Sequence, residues 1–102
     1  MKALSIPLNQ IGVEEYENGV LESPNLICFV FPDSEVDNLF DEGVIENINE
    51  ECGLGIDDYE STIISKTDLE SILIYISKNK YPIFHKAITI ALDKGEFLAL
   101  DL

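Results

Sequence analysis

The chain has 102 residues, 20 acids against 6 lysines, no arginine, no tryptophan and a formal net charge of −14. So acidic a protein lacks the cations that neutralise nucleic-acid phosphates or hold an anionic membrane surface, and it cannot use arginine forks to grip phosphate or carboxylate. With 46% hydrophobic residues it is nonetheless a folding chain rather than an acidic tail, and its length predicts one compact domain over 1–102.

In chain order, Lys2–Leu8 reads as a strand, with Pro7 marking a sheet edge or a strand end. Residues 9–24 hold Asn9, Gly12, Asn18, Gly19 and Pro24 and read as a loop, with a short helical turn around Val13–Glu17. Leu26–Phe31 is a continuous apolar run between Pro24 and Pro32 and predicts a central, buried strand. Asp33 or Ser34 is placed to cap a helix whose apolar side is Val36, Leu39 and Phe40. Beyond Gly43 a second stripe of Val44, Ile45, Ile48 and Cys52 begins, so two helices, or one kinked at Gly43, fit better than one straight helix. Gly53 suits the position after a helix end.

Ser61–Ser65 is prone to β structure. Thr67-Asp68-Leu69-Glu70 matches a capping box and predicts a helix running to about Asn79. Over residues 82–93, Ile83, Phe84, Ala87, Ile88, Ile90, Ala91 and Leu92 fill one arc of a helical wheel, with Pro82 at the first turn and Gly95 past the end. A helix accounts for this stretch better than a β-hairpin does, and 97–102 follows as the last strand. The class is α+β: a small single domain with a mostly antiparallel or mixed sheet packed with about four helices.

Familiar site chemistries fail on spacing. Asp33-x-Glu35-x-Asp37 opens like a calcium loop, but Asn38 and Val44 stand where glycine and glutamate are needed. Gly53-x-Gly55 lacks the third glycine and flanking elements of a phosphate cradle. His85, the single histidine, falls on the polar arc of its helix, while Cys28 and Cys52 read as buried thiols of a cytoplasmic protein, a single disulfide being the other reading. No catalytic residue, metal or cofactor is assigned, and adjacent carboxylates such as Asp57-Asp58 read as solvated.

The charge distribution is the informative feature. Residues 14–70 hold 17 acids and a single lysine, Lys66, whereas 71–102 carry a charge of +1. Surfaces ordinarily mix signs because like charges repel, and a one-signed surface speeds encounter with an oppositely charged partner. The expected contact residues are Asp33, Glu35, Asp37, Asp41, Glu42, Glu46, Glu50, Asp57, Asp58 and Glu60.

In size, in its basic-poor acidic body (Asp33–Glu51 and Asp57–Glu60) and in the ending Ala87-Ile88…Gly95-Glu96-Phe97-Leu98-Ala99-Leu100-Asp101-Leu102, the chain resembles the small immunity proteins of bacterial toxin–immunity systems, especially those of contact-dependent growth inhibition. The resemblance implies a cytoplasmic inhibitor that binds one basic protein toxin, such as a ribonuclease, and occludes its active site. The alternative is an acidic regulatory or adaptor protein with a non-nuclease partner.

Overall fold

A computed structural model describes residues 2–102. The elements run β1 (Ala3–Pro7), α1 (Gln10–Glu17), β2 (Leu26–Val30), α2 (Asp33–Asp41), α3 (Val44–Cys52), β3 (Ser61–Ser65), α4 (Lys66–Ile72), a 3₁₀ turn (Leu73–Tyr75), α5 (Pro82–Lys94) and β4 (Phe97–Asp101). The four strands form one antiparallel sheet in the order β2-β1-β4-β3, so the class is α+β.

Alternation along the strands gives the sheet two different faces. Leu4, Ile6, Ile64, Leu98 and Leu100 point to one side and are fully buried. Val36, Leu39, Ile45, Ile48, Leu69, Ile72, Phe84, Ala87, Ile88 and Ala91 close over them from the helices. Phe31 and Phe84 rings meet at 5.6 Å at the centre of this layer. The opposite face is lined at its middle by the small residues Ala3, Ser5 and Ala99, and α1 packs against this side. Tyr16 of α1 lies edge-on to Phe97 at 5.9 Å, and its hydroxyl donates to Asp101 Oδ1 at 2.9 Å. Burial and the Asp101 carboxylate together push the Tyr16 pKa up to about 12.

Five expectations about the fold are corrected. The run Leu26–Phe31 is not central: β2 is an edge strand, because β4 returns from the C-terminal end to pair with β1 and takes the inner place. Cys28 is consequently exposed rather than buried, with its Sγ 3.6 Å from Ser5 Oγ, while Cys52 is half-buried. Residues 10–17 form a full helix, not a loop with one turn. Asn9 Oδ1 caps it by accepting from Gly12 N–H at 2.9 Å, and Gly12 is needed because a Cβ there would run into Asn25 O. That helix makes five α-helices among the described residues.

The fourth correction concerns α4. Ser65, not Thr67, is its cap, accepting from Asp68 N–H at 3.3 Å, so the helix starts two residues early. It also ends at Ile72, not near Asn79, and the chain tightens through the 3₁₀ turn. Ile74 and Tyr75 are exposed there. The start of α2 is the fifth: Pro32 stands in its capping position with no side-chain cap, so Asp33 and Ser34 lie inside its first turn rather than capping it. Elsewhere the reading holds. Pro7 ends its strand, where its missing N–H costs nothing and its carbonyl accepts from Glu96 N–H at 2.7 Å. The helix from Pro82 and the strand from Phe97 are both present.

Candidate partner-binding surface

The acidic segment folds as an αα-hairpin. Val36 and Leu39 bury one side of α2, and Ile45 and Ile48 one side of α3. Between them Gly43 adopts φ +77°, a left-handed conformation that side chains other than glycine enter at a cost. α3 ends on Gly53, again left-handed, with Leu54 N–H donating to Asn49 O. The Asn49 side chain then clamps the following loop, accepting from Ile56 N–H at 2.8 Å and donating to Ile56 O at 3.1 Å. This fixes the path of 53–60 toward β3.

Burying those apolar residues turns the carboxylates outward. Asp33, Asp37 and Asp41 of α2 and Glu46 and Glu50 of α3 are all exposed. Glu46 and Glu50 are four residues apart on one face of α3, where like charges repel. They line a shallow groove of about 410 Å³ with Phe40, Asn49 and Ile56. A neighbouring groove of the same volume adds Asn47, Glu51 and Tyr75 beside Glu50. Glu51 was missing from the sequence-based set. The Asn47–Glu51 spacing, parallel to Glu46–Glu50, is the signal that would have found it. Glu51 against the Tyr75 hydroxyl pushes that phenol's pKa up, first through their hydrogen bond and then through charge.

Two of the expected contact residues do structural work instead. Glu35 is buried, so it is corrected from surface contact to internal cap. Its Oε1 and Oε2 accept from the backbone N–H groups of Ile83 and Phe84 at 3.2 and 2.7 Å. These are the first free amides of α5, because Pro82 has none and His85 N–H already bonds Tyr81 O. Tyr81, in the capping position of α5, makes no side-chain cap, so the carboxylate of α2 serves α5 in its place and meets the positive end of the helix dipole. The signal was present in the sequence: Glu35 precedes Leu39 by four residues and lies on the buried arc of α2. The same rotation leaves the Asp33-x-Glu35-x-Asp37 carboxylates divided between core and solvent. No cluster of metal-ligating residues occurs among the described residues.

Glu42 is exposed but engaged. It accepts a hydrogen bond from the Tyr81 hydroxyl and pairs with Lys80 Nζ at 3.4 Å. The Tyr81 hydrogen bond, helped by Lys80, holds the Glu42 carboxyl below the usual range. Burial, then the Glu42 carboxylate, pushes Tyr81 up to about 12.

The remaining three residues lie past α3. Asp57 Oδ1 accepts from Asp58 N–H at 2.8 Å, Asp58 pairs with Lys2 Nζ at 3.4 Å, and Glu60 is exposed just before β3. Asp58–Lys2 and Glu42–Lys80 are the two ion pairs among the described residues. The structure therefore gathers Asp33, Asp37, Asp41, Glu46 and Glu50 on one helical hairpin, keeps Asp57, Asp58 and Glu60 on the loop beyond it, and withdraws Glu35.

Two of the remaining lysines lie elsewhere. Lys78 and Lys86 border a groove of about 450 Å³ on the outer side of α5 together with His85 and Thr89. Lys86 Nζ also sits 5.4 Å from the centre of the Phe29 ring. No family model matches the chain, and neither does any curated protein or solved structure.

Proposed function

We propose that the protein is an immunity protein: a cytoplasmic inhibitor that docks the α2–α3 hairpin on a basic toxin, a ribonuclease domain, and covers its active site. One observation carries this reading. Residues 33–52 hold eight acids and no lysine, and seven of the eight are exposed. Like-charge repulsion at this density opposes folding, so its retention points to a benefit gained on binding. A nuclease active site must attract phosphates, and a surface of carboxylates meets the same field. The charges steer encounter and select the partner. Phe40 and Tyr75, set among them, supply the apolar contact that slows dissociation. Inhibition by occupancy asks for no catalytic group.

The test is co-production with the toxin encoded beside this protein's gene, scored by cell survival and by isolation of a one-to-one complex. The expected result is protection, with association slowed steeply by salt as the charges are screened. Absence of both protection and complex at low ionic strength overturns the proposal. A stable complex with a non-nuclease partner instead replaces it with the adaptor reading.

A further inference from the structure

Among the described residues neither β2 nor β3 pairs with a strand on its outer side, and the two edges differ in what they can pair with. In an antiparallel ladder, residues alternate between bonding their neighbour strand and facing away from it. Leu102 N–H donates to Glu60 O at 3.1 Å, which fixes the phase of the β3–β4 ladder. Thr62 and Ile64 therefore bond β4. Ser61 and Ile63 turn their N–H and C=O outward, as Ser65 does its N–H. The strand Ser-Thr-Ile-Ile-Ser carries no charge, no proline and no bulge, the devices that ordinarily blunt an edge. Ile63 is 49% exposed on it, and Tyr59, at φ +65° and 93% exposed, projects just ahead of it.

We propose that the β3 edge is a self-association surface: two copies pair β3 antiparallel about a two-fold axis through Ile63, joining their sheets into one. This register alone matches all three outward residues, Ile63 with Ile63 of the second copy and Ser61 with its Ser65. Just past the strand ends it brings Glu60 near Lys66, the first residue of α4, of the second copy, and by symmetry does so twice. Both side chains are exposed. Lys66 is the single lysine of residues 14–70, and here it faces a carboxylate. The complementarity names a second copy of the chain as the occupant.

The β2 edge offers no such match. Leu8 N–H to Asn25 O and Phe31 N–H to Lys2 O, both 2.9 Å, turn Cys28 and Val30 outward there. Self-pairing about Cys28 would bring Glu22 beside Asp33 of the other copy, with no cation between Glu22 and Asp33 to answer them. The β3 surface uses neither α2 nor α3 and shares only Glu60 with the expected partner contacts, so Lys66→Glu and Ile63→Lys separate its fate from that of the inhibitor reading.

The test is sedimentation equilibrium of the purified chain over rising concentration at low ionic strength. A reversible monomer–dimer equilibrium is expected. Glu60→Lys and Lys66→Glu should each weaken it by about tenfold, because two facing pairs turn repulsive. The double variant Glu60→Lys/Lys66→Glu should restore it. Ile63→Lys should abolish it, and Val30→Lys on the other edge should leave it unchanged. Amide exchange at Ser61 and Ile63 should slow as concentration rises. A monomer at every concentration, a double variant no better than the singles, or a dimer broken by Val30→Lys overturns the proposal. The two charge positions are exposed, so the swap decides the matter even if Ile63→Lys fails to fold.

Discussion

The α2–α3 hairpin and α5 present opposite solutions to the same problem. Both bury an apolar stripe, α5 against β1 and β4 and the hairpin through α3 against α4. α5 buries Phe84, Ala87, Ile88 and Ala91, starts on proline, and carries Lys94 in its last turn where the helix dipole favours a cation. α2 and α3 have no basic residue in either last turn, and place like charges four apart. One helix is built for stability, whereas the hairpin sacrifices some of it to a one-signed surface. They are joined by Glu35, the acid that the hairpin gives up from its surface to complete α5. Acidity in this protein thus has two uses, and burial decides which residue serves which.

The comparison breaks first at the core. Phe84→Ala removes a fully buried ring from α5 that packs on Phe31, and should cost about 3–5 kcal/mol in urea unfolding. A loss under about 1 kcal/mol would show that α5 is not the anchor described.

Next comes the joint between the two regions. Glu35→Ala leaves the Ile83 and Phe84 amides without acceptors in a buried place and should cost about 2–3 kcal/mol. Glu35→Gln keeps one acceptor and should cost less. Asp37→Ala, two residues on and exposed, should be within about 0.5 kcal/mol of wild type. Equal effects at 35 and 37 would refute the capping role.

A second joint is sensitive to pH. Glu42 has a folded pKa below its unfolded 4.5, so its contribution is present above that value and is lost as pH falls through the folded one. Tyr81 is raised from 10.0 to about 12, so its contribution is complete below pH 10 and is lost as pH climbs toward 12. Tyr81→Phe should cost about 1–2 kcal/mol at neutral pH, the worth of a hydrogen bond to a charged group. It should also flatten the acid limb and reduce the alkaline one, where Tyr16 remains. Thermal unfolding of both proteins across pH measures this, and unchanged limbs in Tyr81→Phe would sink it.

What the sequence made legible divides along the same line. α5 could be read because proline, an apolar arc and a terminal glycine all agree, and the break between α2 and α3 because Gly43 separates two stripes that no single helix reconciles. Strand position could not be read. The run Leu26–Phe31 is as apolar as an inner strand, yet which strand lies inside depends on where β4 returns, a pairing across most of the chain. α1 was hidden by Gly12, a helix breaker by propensity that is kept for its close approach to Asn25. Ser65 and Thr67 are both competent caps, and the end of β3 chooses between them. Charge was legible as an amount, but the direction of each carboxylate was not. Only the helical phase set by Val36 and Leu39 separates Glu35 from Asp33 and Asp37.

The smallest effect on stability should accompany the largest on binding. Glu46→Lys/Glu50→Lys reverses two exposed carboxylates on the α3 groove. Neither makes a hydrogen bond or ion pair among the described residues, and each loses a like-charged neighbour or gains an opposite one such as Glu51. Unfolding free energy should therefore move by no more than about 0.5 kcal/mol, in the stabilising direction if in either. Association with the basic partner should slow by about tenfold at low salt, with a shallower salt dependence, while dissociation changes less. Phe40→Ala should show the reverse pattern, faster dissociation at an unchanged encounter rate. If the double reversal destabilises the fold, these carboxylates are structural, as Glu35 is. If it leaves both stability and association unchanged, the hairpin's charge is a solvated surface and its partner binds elsewhere.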